Sequence, residues 1–431
     1  MYDLKQKNDN DKPYAYKKIA TIFFMMILLL VPKEEAVYMS GRVIDSVTGR
    51  PVKDATVTVN QSVVQTDEKG SFIVHAMGQK IMARACGCLR TEQSVAAPLV
   101  AAPLQINLIP FKPKALYLSF YGIGSRTLRE AALRLIDETE LNALVIDVKG
   151  DRGLIVYKSS IPLAKEVNAQ RHIIIRDMVE LMQSLKKRGI YTIARIVVFK
   201  DNPLAHARPD LAVKTAGGAV WLDNENLAWV DPAKKEVWDY NIGIAEEAAR
   251  SGFDEIQFDY VRFPDAAGLA YSVPNNQGNR VRAITGFLVE ARKKLKPYNV
   301  FLAADIFGYV CWNLDDTKIG QRLEDIAPLV DYISPMLYPS GFQFGIPGYR
   351  IPVAHPFEIV YRTLRRSQER TGLDPVRFRP WLQAFRDYAF DRRYFGRQQI
   401  QAQISAADQF GSDGWMLWNP QNIYSTADLK K

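Results

Sequence analysis

Beyond residue 113 two kinds of apolar segment alternate along the chain. Short runs at 115–121, 143–148, 191–198, 255–261, 300–306, 332–337, 379–384 and 414–418 are rich in apolar residues and read as buried strands. Between them, 128–138, 173–187, 235–250, 281–294, 320–330, 357–368 and 399–410 repeat apolar residues with the helical period. Strands alternating with helices in this way predict an α/β fold, a (β/α)8 TIM barrel over 111–431. The competing doubly wound sheet wants a glycine-rich phosphate loop, and Gly122-Ile-Gly124 has no third glycine three residues on.

Ahead of the barrel the period changes to two. Gly41-Arg-Val-Ile-Asp45 starts a strand, Thr48-Gly-Arg-Pro51 turns, Ala55-Thr-Val-Thr-Val59 alternates, and Thr66-Asp-Glu-Lys-Gly-Ser-Phe72 turns into another strand. These features predict a small antiparallel β-sandwich over 37–110. The same strings resemble the carboxypeptidase regulatory-like domain, which implies a spacer or adhesion module without catalytic groups. The stretch 96–103 reads as a linker or last-strand approach.

At the N-terminus, Lys5, Lys7, Lys12, Lys17 and Lys18 precede a charge-free apolar run from 19 to 32. That run is short for a spanning helix, which needs ~20 residues, but suits the core of an export signal. Residues 1–36 are therefore expected to be a cytoplasmic tail with a cleaved signal peptide or an uncleaved signal anchor. The lysines place the N-terminus inside and the rest outside. The expected location is the cell envelope, either membrane-anchored or periplasmic or extracellular, with the membrane met through this segment alone.

Composition narrows the chemistry. The chain has 431 residues, 48% hydrophobic and 24% charged, which is ordinary globular usage. Three cysteines cannot make a disulfide scaffold, and four histidines with no H-x-x-x-H pair argue against a histidine-built metal centre. No metal and no cofactor are expected. The net charge of +9 suits an anionic glycan or membrane surface, and no arginine stripe points to nucleic acid. No G-x-S-x-G elbow or Walker loop is present.

In a (β/α)8 barrel the reactive groups sit at the C-terminal ends of the strands. Side chains alternate along a strand, so Asp147 and Lys149 are expected to share the inward face after Val145, with Arg195 on the next strand. Gln257 and Asp259 share a face of the fourth strand, and Asp305 lies on the fifth. Tyr338, Gln383 and Trp418 end the sixth, seventh and eighth. Adjacent strands lie ~4.8 Å apart, so Asp259 and Asp305 could approach to ~5 Å, the spacing of a retaining glycosidase pair. Either aspartate could instead serve backbone amides or pair with Lys149 or Arg195, and a buried Asp147–Lys149 pair is an equal alternative. Trp221, Trp229, Trp312 and Trp418 fall in loops or at strand ends, and such rings stack on sugar faces. The long segment 201–232 reads as a wall over the barrel mouth.

The strings Val145-Ile-Asp-Val-Lys149, Phe253-Asp-Glu-Ile-Gln-Phe-Asp-Tyr-Val-Arg-Phe-Pro264, Ile319-Gly-Gln321, Ser334-Pro-Met-Leu-Tyr-Pro339 and Gly414-Trp-Met-Leu-Trp418 resemble a bacterial glycoside-hydrolase-like TIM-barrel family of unassigned activity. The likeness runs over about 115–420. It implies an exported protein acting on a polysaccharide or oligosaccharide, with Asp259 where such barrels place a catalytic acid. Relatives carry His-Tyr after Tyr-Pro-Ser, where this chain has Gly341-Phe342. The expectation is a glycosidase of cell-envelope or extracellular polysaccharide. Asp259 and Asp305 would do the acid/base and nucleophile work, and Asp147, Lys149, Arg195, Gln257, Tyr338, Gln383 and Trp418 would line the substrate. Two other readings stand beside it: a non-catalytic glycan-binding or scaffold protein, and a carbohydrate deacetylase, which would want a metal.

Overall fold

The computed structural model describes residues 38–75, 80–95 and 103–431. The expected signal or anchor segment at 1–36, and most of the linker at 96–103, lie outside the described residues. Among the described residues no helix is long and apolar enough to cross a membrane.

Seven strands come first: β1 (Tyr38–Asp45), β2 (Thr56–Val59), β3 (Ser62–Gln65), β4 (Ser71–His75), β5 (Lys80–Arg84), β6 (Thr91–Ser94) and β7 (Leu104–Leu108). They form two sheets, ordered β4-β1-β7 and β3-β2-β5-β6. Met39 and Val43 of β1 alternate inward, as the period-two pattern requires, and meet Val57, Val59 and Ile81 of the other sheet in one core. One expectation is corrected here: β7 runs parallel to β1, not antiparallel. The chain leaves β6 in one sheet and enters β7 in the other, so this connection is a crossover and no hairpin reverses it.

The barrel strands follow: β8 (Lys114–Leu118), β9 (Ala143–Lys149), β10 (Tyr191–Val197), a two-residue β11 (Lys214–Thr215), β12 (Glu255–Asp259), a two-residue β13 (Leu269–Ala270), β14 (Phe301–Phe307), β15 (Tyr332–Met336), β16 (Trp381–Gln383) and β17 (Trp415–Trp418). Without the short β11–β13 pair, they close in the order β8-β9-β10-β12-β14-β15-β16-β17, all parallel, with helices between them. All eight expected strands are present. The first is shorter than expected, because the Ser119 hydroxyl accepts from Gly122 N at 3.1 Å and caps the short helix Phe120–Gly124. The helix expected over 320–330 shrinks to Leu323–Ile326 and one 3-10 turn, since Pro328 removes a donor there. The segment 201–232 is also more ordered than a plain loop. Asp201 caps the helix Asn202–Ala207, and β11 pairs with β13.

The two-sheet unit sits against the N-terminal ends of the barrel strands. Arg84 pairs with Asp331 and Arg90 with Asp254, both at 3.1 Å, and Gly87 N donates to the Tyr332 hydroxyl. Leu89 and Phe111 cover the apolar cluster of Tyr191, Phe301 and Tyr332. Just inside, buried Arg379 is paired with Glu255 and Asp413. Among the described residues the two-sheet unit covers this end of the barrel, and the C-terminal mouth lies at the opposite end.

Candidate active site

The mouth is organised by one buried cation. Arg195, 1% exposed, projects from β10 and reaches three carboxylates. Its Nη1 donates to Asp147 Oδ1 at 2.7 Å, Nε and Nη2 to Asp259 Oδ2 at 2.9 and 2.6 Å, and Nη2 also to Asp151 Oδ1 at 2.8 Å. Burial alone would lower the pKa of Arg195, but the charges of Asp151, Asp259 and Asp147 outweigh it and hold it well above the usual value. Burial pushes Asp147 up to about 6, against the pull of Arg195. Asp147 Oδ2 is occupied by the Tyr117 hydroxyl (2.8 Å) and Phe120 N (3.1 Å).

Asp259 ends β12 and faces a cavity of about 250 Å³. Its Oδ1 accepts from Tyr260 N at 2.6 Å. Tyr260 holds φ at +49°, a left-handed conformation that costs an aromatic residue energy and recurs at functional sites. Tyr338, Trp381, Phe307 and Tyr388 share the cavity wall. Trp418 borders this cavity and a second one of about 210 Å³, which Asp151 lines. Its ring stacks on Tyr117 at 3.9 Å and lies 4.8 Å from the Arg195 guanidinium. Asp151 and Asp259 accept from the same Nη2 at 2.8 and 2.6 Å, so one guanidinium nitrogen holds these two carboxylates close together at the mouth.

Four expectations are corrected. Lys149 does not face the substrate. The β9–β10 register jumps between Arg195↔Asp147 and Ile196↔Lys149, which turns Lys149 away. Its fully buried Nζ lies 2.6 Å from Asp201 Oδ2 and donates to Val197 O and Asn241 Oδ1. Gln257 lies a layer below the mouth, fully buried, with Nε2 3.4 Å from Met416 Sδ. Gln383 spends its amide on the turn at Pro339–Gly341, accepting from Ser340 N and donating to Ser340 Oγ and Phe385 O. It braces that turn and is not among the residues that line the cavity.

Asp305 is the fourth. The Phe258↔Ala304 register brings it level with Asp259, as expected. It is 1% exposed and does not border the cavity; the Trp381 indole, which does, donates to its Oδ1 at 2.7 Å. Burial, and then the charge of Asp259, raise the Asp305 pKa well above the usual carboxylate range. The fold therefore takes up a proton here. The contribution of Asp305 to stability is fully present below its unfolded value of 3.8 and is lost as pH climbs toward the folded value. Asparagine mimics the protonated form and escapes that loss. The melting temperature of Asp305→Asn should exceed wild type by a margin that widens from pH 4 to pH 8, and thermal melts across that range check it. A margin that narrows with pH would mean that Asp305 is ionised in the fold.

Sequence reasoning missed Asp151, Trp381, Tyr117 and Tyr388. Asp151 stood two residues beyond the end of β9, the strand next to the one that carries Arg195, and that was the available signal. Tyr388 is aimed by Asp387, which accepts from Ser340 Oγ and the amides of Ala389, Phe390, Asp391 and Arg392. Of the tryptophans expected to be platforms, Trp418 reaches the cavity. Trp229 is buried, with its Nε1 on Asp223 at 3.0 Å, and Trp312 donates to Thr363.

Residues 115–424 match the model of a family described as "Putative glycosyl hydrolase domain". Among solved structures, a hypothetical protein from Ruminiclostridium thermocellum ATCC 27405 is 38% identical over 44% of this chain and 96% of its own, with a TM-score of 0.39. The PgaB (BpsB) glycoside hydrolase domain from Bordetella bronchiseptica is 15% identical over 74% of this chain and 99% of its own, with a TM-score of 0.53, and shares the fold. No curated protein matches the sequence.

Proposed function

The chain belongs to this glycosyl hydrolase family, whose model covers nearly the whole barrel, and from that premise we propose that it hydrolyses O-glycosidic bonds of a polysaccharide by paired-carboxylate chemistry. The observation that carries the reading is the Asp151–Arg195–Asp259 arrangement at the only end of the barrel not covered by the two-sheet unit. Asp259 is the nucleophile: its cavity-facing carboxylate attacks the anomeric carbon while Arg195 fixes its orientation. Asp151 acts from its protonated form, giving that proton to the departing oxygen and then, as the carboxylate, taking one from the water that releases the sugar. Two carboxylates held by one guanidinium nitrogen are a close pair, which fits a retaining mechanism better than an inverting one with its wider gap for a water. Trp418 and Tyr338 are flat, half-buried surfaces on which sugar rings stack. Asp305, whose pKa is raised by burial and by Asp259, accepts from the Trp381 indole beneath the floor and fixes that ring.

The same proposal includes the rest of the chain. Residues 1–36 direct export and hold the protein at the membrane as a signal or anchor. Residues 37–110 are a carboxypeptidase regulatory-like module that spaces the barrel from the membrane. The substrate is then a cell-envelope or extracellular polysaccharide.

The test incubates the full-length chain with bacterial exopolysaccharides and peptidoglycan and counts new reducing ends, wild type beside Asp151→Asn. Wild type should release product, and the variant should be slower by ~10²- to 10⁴-fold, the usual worth of a general acid–base. Binding without product in wild type would favour the glycan-binding reading instead.

A further inference from the structure

Arg195 was expected to line the substrate, but its donors reach three carboxylates. A second guanidinium borders the same cavity and, among the described residues, has no carboxylate partner. Arg262, half-buried, follows the strained Tyr260 by two residues and lines the cavity beside Asp259. Its carbon Cζ lies 5.0 Å from the Trp229 ring and 5.1 Å from the Tyr260 ring, and those two rings meet edge to face at 5.5 Å. Trp229 is itself fixed through Asp223. Nη1 donates to Phe263 O at 3.1 Å, and among the described residues no carboxylate pairs with Arg262. An arginine held on aromatic rings in a cavity wall, with no carboxylate partner among the described residues, suits a planar anion that can take two parallel hydrogen bonds. The aromatic shelf holds the guanidinium in place before any ligand arrives, which lowers the ordering cost of binding.

We infer that Arg262 is a specificity-determining residue that binds a sugar carboxylate, so the polysaccharide is an anionic, uronic-acid-containing one. The inference rests on the mouth of the barrel being the glycan site. It reads the net charge of +9 as complementarity to such a polymer.

The experiment measures binding of the full-length chain to uronic-acid polysaccharides and to the same polymers after carboxyl reduction, with dextran sulfate and dextran as a further pair. Wild type should prefer the acid form by roughly 10- to 100-fold, the worth of a charge-assisted bidentate contact. Arg262→Gln should bring that ratio close to one, and Arg262→Lys should fall between, with circular dichroism melts confirming that both fold. Equal binding of acid and reduced forms by wild type, or a ratio that Arg262→Gln leaves intact, overturns the inference. Discrimination of dextran sulfate without discrimination of uronic acids overturns the carboxylate assignment. Reducing ends counted on the same samples separate the two readings. Acid forms bound through Arg262 but never cleaved would sink hydrolysis and keep this inference, and indifferent cleavage of both forms would do the reverse.

Discussion

Asparagine at position 259 is expected to cut glycan cleavage by ~10³-fold or more while leaving the protein folded and able to bind its substrate. The amide has the shape of the carboxylate but no negative charge, so it is a far weaker nucleophile toward an anomeric carbon. Shape retention matters because Asp259 is only 5% exposed and Tyr260 N needs an acceptor beside it. Arg195 loses one anionic partner and keeps Asp147 and Asp151, so it is not stranded as an uncompensated buried charge. Kinetics and melting must be measured together. A large fall in kcat with a melting temperature near wild type supports a reacting group, and full activity removes Asp259 from the mechanism. A variant that no longer folds would show that Asp259 serves mainly as a counter-ion.

The barrel was legible because its strands are apolar on both faces and its helices carry the 3.6-residue period, signals that persist over many residues. Arg195 and Asp259 were legible for a related reason, since strand parity and the C-terminal end of a barrel strand together define a small set of positions. Parity misled at Lys149, where one register jump beside Ile196 exchanged the two faces, and nothing in the local composition announces such a jump. Asp305 had the right strand and level, but whether an inward carboxyl meets the cavity depends on Trp381, a neighbour two strands away. Asp151 escaped because it lies past the strand in a turn, where parity no longer applies. Its direction follows from turn geometry, including Gly153 at φ +73°, which a Cβ would drive into Asp201 and Pro203. Gln383 illustrates a further difficulty. A buried amide at a strand end has enough hydrogen-bonding capacity to serve a ligand or a loop, and the sequence offers no way to choose.

Removing Arg195 should produce the largest loss of stability of any single substitution at the mouth. With methionine in its place, Asp147 at 2% exposure and Asp259 at 5% are left near each other, near Asp151, and without a cation. Deleting one partner of a buried ionic cluster costs ~3–5 kcal/mol, because the remaining charges stay desolvated. The midpoint of urea unfolding should fall accordingly, with the denaturant slope unchanged if the native state keeps its compactness. Lysine keeps the charge but offers a single point of contact and cannot bridge three carboxylates, so Arg195→Lys should be intermediate in stability and still poorly active. The deficit should also depend on pH in a definite sense. Burial already holds Asp147 at about 6 with Arg195 opposing it, and without the cation that opposition is gone. The variant's native state then binds more protons than wild type through the neutral range, so its stability drops more steeply as pH rises. The gap between Arg195→Met and wild type should thus be wider at pH 8 than at pH 5. A midpoint shift within the ~0.5 kcal/mol typical of surface substitutions, or a gap that closes toward pH 8, would mean that the three carboxylates are not held by this arginine.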